Sequence, residues 1–267
     1  MKNFILCMIS AVCITACSTK DGKLNPVNYF STDHKRPSQN FVDKQYVINF
    51  NSIQVSAGIE AEVIKGNEEK VVITAPDNFI DEVLVDNENG NLHLHFKPGL
   101  RINGSHHVRA KIYAKDFNAI KANSSGSIEV KDKFVQEKMS IHTSSSGSIE
   151  GDFEANDMSI HASSSGDFSG RIWAINLNTD VSSSGEVDLK GTAKQTIMQA
   201  SSSGSVNAAE LVTETANLQA SSSGDIDVAV SRQLMVSASS SGGITVYRKG
   251  DVAVTKTESS SGTVTLR

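Results

Sequence analysis

Apolar and polar residues alternate through most of the chain, and the pattern recurs about every twenty residues. Each repeat contains the motif Ser-Ser-Ser-Gly, with Asn123 replacing the first serine in the earliest of eight copies, and the glycines lie 18 to 21 residues apart. Alternation with a period of two predicts β-strands. A constant short repeat predicts a solenoid in which every repeat forms one coil.

Three columns of one parity become visible when the copies are aligned on their glycine. The position two residues after it is always apolar: Ile128, Ile149, Phe168, Val187, Val206, Ile226, Ile244 and Val264. The position six before it is apolar in six copies: Ile120, Ile141, Ile160, Thr179, Met198, Leu218, Val236 and Lys256. The position four before it is small until the last copy: Ala122, Thr143, Ala162, Val181, Ala200, Ala220, Ala238 and Glu258. We therefore predict an all-β fold, a right-handed parallel β-helix of about 19–20 residues per coil with two or three short strands in each coil.

The motif itself is expected to form a corner of each coil. Glycine permits a positive φ or a close backbone approach, and the corner glycines are Gly126, Gly147, Gly166, Gly185, Gly204, Gly224, Gly242 and Gly262. By parity the middle serines should point inward and hydrogen-bond along a stack with a spacing of about 4.8 Å: Ser145, Ser164, Ser183, Ser202, Ser222 and Ser240. Their neighbours should point outward. Two interpretations remain open, a structural corner and a polar ladder that binds a ligand.

The start of the chain predicts export. Residues 1–16 have a short positive head and an apolar run too short to span a bilayer, as in a signal peptide. Ile14-Thr15-Ala16-Cys17 resembles a bacterial lipobox, which implies cleavage before Cys17 and lipid attachment to it. The alternative is an ordinary signal peptide with an incidental cysteine. Residues 17–40 are polar and read as a flexible tether between a lipid anchor in the membrane and the folded domain.

Residues 41–267 are predicted to form one elongated domain. Its first part, 41–116, contains strand patterns without the serine motif, and 117–267 carries the repeats. Phe50-Asn51-Ser52-Ile53-Gln54-Val55 parallels Phe117-Asn118-Ala119-Ile120-Lys121-Ala122, so the first part is interpreted as a less regular stretch of the same solenoid. Lys256 and Glu258 replace apolar residues near the end, as expected of a polar terminal cap.

A family resemblance adds to this interpretation. Ile53-Gln54-Val55-Ser56-Ala57-Gly58-Ile59-Glu60-Ala61-Glu62-Val63, the turn Asn89-Gly90-Asn91-Leu92 and the Ser-Ser-Gly-Ser-Ile repeats resemble the head GIN domain family. Members are described as heads of autotransporter adhesins, mostly from Bacteroidetes, and are frequently lipoproteins. The resemblance covers roughly residues 47–267 and implies a single-stranded β-helix. It brings no catalytic or ligand residues.

Little in the sequence indicates catalysis or a cofactor. No serine lies in Gly-x-Ser-x-Gly, and the residues that follow the motif glycines are too mixed for a calcium ladder. His142 and His161 should lie about 5 Å apart on adjacent coils, and His93 and His95 share one strand face, with His106-His107 following in a loop. Neither set visibly supplies a third ligand, so no metal site is predicted. Trp173 is interpreted as partly buried under a loop, or alternatively as a sugar-stacking residue.

Together these features predict a cell-envelope lipoprotein, anchored in the outer membrane on its surface or periplasmic face. It would present a β-helical surface to a glycan, a matrix component or an envelope protein, without catalysis. The alternative is a carbohydrate-active enzyme resembling a polysaccharide lyase. The net charge of −5 with interspersed signs excludes the basic face that nucleic-acid binding needs.

Overall fold

The computed structural model describes residues 37–100 and 107–267, which form an all-β solenoid of about eight turns. Seventeen strands belong to one continuous sheet. They are β1 Phe41–Val47, β2 Ser52–Val55, β3 Glu60–Lys65, β4 Lys70–Pro76, β5 Val83–Glu88, β6 Asn91–Phe96, β7 Arg109–Ala114, β8 Ala119–Ala122, β9 Ser127–Thr143, β10 Ser148–Ala162, β11 Asp167–Val181, β12 Glu186–Ala200, β13 Ser205–Ala220, β14 Asp225–Ala238, β15 Gly243–Arg248, β16 Ala253–Glu258 and β17 Thr263–Leu266. A short 3₁₀ turn, Ile80–Glu82, precedes β5.

Each strand from β9 to β14 runs once around the solenoid and pairs in parallel with the next. These strands are 14 to 17 residues long. The prediction of two or three short strands per coil was therefore wrong. The strand bends where the alternation of buried and exposed residues is interrupted, as at Ile175 and Asn176 in β11, and its parallel pairing skips Ile175 and resumes at Asn176.

The core is a stack of inward columns, as the sequence predicted. All eight members of the column two residues after the glycine are buried, and each is in register with the member on the next coil. The two columns before the glycine are buried from Ile120 and Ala122 to Val236 and Ala238. A fourth buried column, eight residues before the glycine, was not predicted: Met139, Met158, Leu177, Thr196, Ala216 and Leu234.

The N-terminal strands join the same sheet in an order that differs from their order in the chain. β2 pairs in parallel with both β6 and β8, and β3 with both β7 and β9. The chain thus returns to the outer side of its first coil before it continues to β8. Strand β4 pairs antiparallel with β7 on one side and with β1 on the other, and β5 pairs antiparallel with β6.

The structure corrects one predicted boundary. The backbone N–H of Ser38 donates to Asn78 at 3.0 Å, and the carbonyl of Asn40 accepts from the N–H of Asp77 at 2.9 Å. Residues 38–40 are therefore part of the folded domain rather than of the tether. The predicted signal peptide and Cys17 lie outside the described residues.

The last coil ends in charged side chains. Lys256 Nζ donates to the carbonyl of Val264 at 2.9 Å, and Glu258 accepts from the N–H of the same residue at 2.6 Å. Lys256 and Glu258 also pair with each other at 3.0 Å. These contacts satisfy strand-edge backbone groups of β17, which an open edge would otherwise present to another chain.

Candidate functional site

The repeated motif forms a tight turn with positive φ at two successive serines. In all eight copies the middle residue has φ between 47° and 52° and the third residue between 60° and 65°. The glycine N–H donates to the carbonyl of the first motif residue at 2.8–2.9 Å. Positive φ at both central positions with this hydrogen bond defines a type I′ turn. In the first seven copies, the N–H of the third serine donates to the backbone carbonyl of the middle serine on the next coil at 3.0–3.2 Å, so the turns stack.

The predicted orientation of the middle serines was wrong. Ser145, Ser202 and their equivalents are exposed, as are the third serines. None of these hydroxyls hydrogen-bonds to another protein group within the described chain, so the predicted hydroxyl ladder is also wrong. Strand parity fails here because the turn sets both central residues outside the strand conformation. We call these sixteen exposed residues the serine face: Ser124, Ser125, Ser145, Ser146, Ser164, Ser165, Ser183, Ser184, Ser202, Ser203, Ser222, Ser223, Ser240, Ser241, Ser260 and Ser261.

The glycines serve close approach rather than positive φ. A Cβ on Gly204 would lie 2.7 Å from the carbonyl oxygen of Val181 on the neighbouring coil, and all eight corner glycines have such a backbone neighbour within 3.0 Å. None of the eight has a positive φ. Each glycine therefore allows the turn to sit against the previous coil.

A ninth turn of the same kind was missed. Ala57 and Gly58 have φ of 59° and 70°, and Gly58 donates to the carbonyl of Ser124 at 3.0 Å. The sequence comparison of Phe50–Val55 with Phe117–Ala122 pointed to it, since Ser56-Ala57-Gly58-Ile59 follows at the equivalent place.

A second exposed strip forms a groove along the solenoid, after the bend in each strand. It encloses about 1020 Å³ and crosses six coils from β9 to β14. Two outward columns line it, seven and nine residues before the glycine. The first holds Ser140, Ser159, Asn178, Ile197, Asn217 and Met235, and the second holds Lys138, Asp157, Asn176, Gln195, Thr215 and Gln233. The groove was not predicted from the sequence, because its two outward columns share no residue type.

The groove is almost uncharged, and its floor is largely apolar, because the buried column of Met139, Met158, Leu177, Thr196 and Ala216 lies between the two outward columns. Lys138 and Asp157 carry its only charges, on the two coils at one end, and Asp157 accepts a hydrogen bond of 2.7 Å from Asn176. Ile197 and Met235 are 46% and 52% exposed. The lining thus combines carboxamides, hydroxyls and two exposed apolar side chains around an apolar floor.

Four of the histidines form two stacked pairs outside the groove lining. The rings of His142 and His161 are 4.8 Å apart, near the predicted spacing, and those of His93 and His95 are 4.3 Å apart. Partial burial, then the neighbouring His161 and Lys121, lowers the pKa of His142. Partial burial and His95 likewise lower the pKa of His93, whose Nε2 lies 2.8 Å from Ser56 Oγ. His106 lies outside the described residues.

Two other candidates gain no support as ligand sites. Trp173 is 40% exposed in the middle of β11, in register with Glu154 and Thr192 rather than under a loop, and it does not line the groove. Within residues 37–100 and 107–267, no three His, Cys, Asp or Glu side chains are arranged to hold a metal ion. The same ranges contain no helix that could span a bilayer.

Comparison with known proteins agrees with the solenoid. The family model described as "Putative auto-transporter adhesin, head GIN domain" matches residues 49–250. The chain belongs to this family. No curated protein matches it.

Solved structures similar to this head GIN domain protein share its fold at low sequence identity. A putative adhesin from Parabacteroides distasonis has a TM-score of 0.81 at 20% identity, covering 88% of this chain and 100% of its own. A putative adhesin from Parabacteroides merdae has a TM-score of 0.77 at 17% identity, covering 88% and 99%. A putative lipid binding protein from Parabacteroides distasonis has a TM-score of 0.64 at 20% identity, covering 88% and 99%.

Proposed function

We propose that this protein is a lipid-anchored, adhesin-like component of the cell envelope that binds an extended partner along its groove. Family membership supports the adhesin-like role. The observation that carries the binding site is the groove itself, which runs unbroken across six coils and exposes side chains with unused hydrogen-bonding capacity. A glycan, a matrix component and an envelope protein are the candidate partners.

A binding role fits the groove better than the enzymatic alternative. A lyase or a hydrolase acting on a polysaccharide needs acidic and basic side chains that converge on the reacting bond. Asp157 is the single carboxylate in the lining, and Asn176 already occupies one of its oxygens.

Exposure on the cell surface is tested by proteinase treatment of intact cells, followed by immunoblotting. We expect loss of the protein while a periplasmic marker survives. Survival of both would contradict a role in adhesion, because the groove would then face the periplasm.

Lipid anchoring is tested separately at Cys17. The variant Cys17→Ser should lose acyl labelling and move from the membrane fraction to the soluble fraction. Cys13→Ser is the matched control, because the lipobox resemblance places that residue in the discarded signal. Unchanged labelling of Cys17→Ser would overturn the lipoprotein assignment.

A further inference from the structure

We infer that the groove holds a single chain of an uncharged polysaccharide, lying along the axis of the solenoid. This inference rests on the proposed binding role and specifies its ligand. It follows from the charge of the lining, its hydrogen-bonding groups, its shape and the absence of a free strand edge within it.

The charge of the lining excludes polymeric ions. Recognition of a polyanion needs a row of Lys or Arg side chains, and recognition of a polycation needs a row of carboxylates. From β11 to β14 the groove has neither, since the two lining columns there hold only neutral residues. Two cations flank this stretch, Lys194 beside Gln195 and Arg232 beside Gln233, which is too few for a row, and Arg232 is paired with Glu214 at 3.1 Å.

The hydrogen-bonding groups match hydroxyl-rich ligands. A carboxamide both donates and accepts, and so does a sugar hydroxyl. Asn178, Gln195, Asn217 and Gln233 lie on four successive coils, and none of their side chains bonds to another protein group in the described part of the chain. Their amides can therefore serve successive sugar residues at no cost to internal bonds. Ile197 and Met235 offer apolar surface to the C–H faces of sugar rings.

The shape indicates a chain rather than a small sugar. Six coils at a spacing of about 4.8 Å give the groove a length of about 24 Å, and it is open to solvent along that length. One sugar would contact only a coil or two, whereas a polymer contacts all six. Individually weak contacts then add within one ligand.

A peptide strand is a poorer fit than a glycan. Extended peptides are commonly bound by adding a strand to an exposed sheet edge. Every strand that lines the groove between β9 and β14 is already paired, coil to coil, through the register of its lining residues. The two exposed apolar side chains, Ile197 and Met235, are also separated by Asn217, so they form no continuous stripe for the side chains of a peptide.

Affinity electrophoresis tests the inference on the full chain, solubilised in a non-ionic detergent without a sugar headgroup. Native gels contain galactomannan, mixed-linkage β-glucan or α-mannan as neutral probes, and polygalacturonate or heparin as acidic probes. We expect retardation by at least one neutral polymer and by neither acidic one. The double variant Gln195→Ala with Asn217→Ala should weaken the affinity obtained from this retardation at least tenfold.

The matched control is Gln199→Ala with Gln219→Ala. These residues are exposed on the same two strands but lie outside the groove lining, so this pair should leave retardation unchanged. Ser202→Gly with Ser203→Gly probes the serine face and should also leave it unchanged. Circular dichroism melts establish that every variant is folded.

Several outcomes would overturn the inference. Retardation by acidic polymers alone would contradict the uncharged ligand, and equal losses in the groove and control pairs would contradict the site. Loss confined to the Ser202 and Ser203 variant would assign binding to the serine face. If no neutral polymer retards a protein that proteinase finds on the cell surface, the ligand class is wrong while the proposed adhesin-like role stands.

Discussion

The serine face and the groove run along the same coils, but they differ in how much their residue types vary and in the strain of their backbone. The serine face has one residue type at all sixteen positions, and its backbone is strained, whereas the groove columns vary and lie in relaxed strands. A non-glycine residue at positive φ costs of order 1–3 kcal/mol. Glycine would adopt both turn positions more readily than serine. The stability of the turn therefore does not explain why serine occupies these positions. The varied columns of the groove, in contrast, offer a ligand different chemical groups on successive coils.

The interior that both strips share should dominate stability. Ile226→Ala removes a fully buried side chain from the stacked column and should cost about 2–5 kcal/mol. Asp227→Ala, next to it on β14 but partly exposed, should change stability by no more than about 0.5 kcal/mol. Urea unfolding measures both. Equal shifts in the midpoint would contradict the assignment of inward and outward positions.

The corner glycine should be the sensitive residue of the turn. Gly242→Ala places a Cβ 2.5 Å from a backbone atom of Ala220, and such overpacking should cost about 1–3 kcal/mol. Gly243→Ala is the matched control, because its Cβ would meet only the flexible carboxylate of Asp225. A smaller loss in thermal melts for Gly242→Ala than for Gly243→Ala would show that close approach is not the role of the motif glycine.

These two regions also show how far the sequence predicts the molecule. Spacing and parity predicted the solenoid and its inward columns, because every coil repeats the same packing. Parity failed for Ser145 and its equivalents, since a type I′ turn imposes its own dihedral angles. Parity also could not predict that β6 and β7 lie outside β2 and β3, because this arrangement depends on pairing between segments that are distant in the sequence. The groove was missed because it arises from strand bending, which leaves no repeated residue.

The serines of the turn should tolerate glycine. Ser202→Gly with Ser203→Gly relieves the positive φ of 50° and 63°, while glycine adds freedom to the unfolded chain. The two effects oppose each other, so we expect the free energy of unfolding to stay level or to rise by about 1 kcal/mol. A fall of more than about 1 kcal/mol would mean that the serine hydroxyls stabilise the fold.

The stacked histidines should give the smallest effect. The pKa of His142 is lowered in the folded protein, so the unfolded chain binds a proton more readily. Stability should therefore decrease as the pH falls below about 6.5, the ordinary value for histidine, and the decrease should end below the folded pKa. His142→Gln should lessen this loss in melts between pH 7.5 and 5.5. An identical pH dependence in the variant would exclude His142 as a contributor.

The central claim, that the groove rather than the serine face is the binding strip, is tested most directly by hydroxyl-radical footprinting with the neutral polysaccharide that retards the protein most. Met235 lines the groove and is 52% exposed, and Trp173, 40% exposed on another flank, is the internal control. The polysaccharide should slow the oxidation of Met235 severalfold and leave that of Trp173 unchanged. Equal oxidation of Met235 with and without bound polysaccharide would contradict the claim.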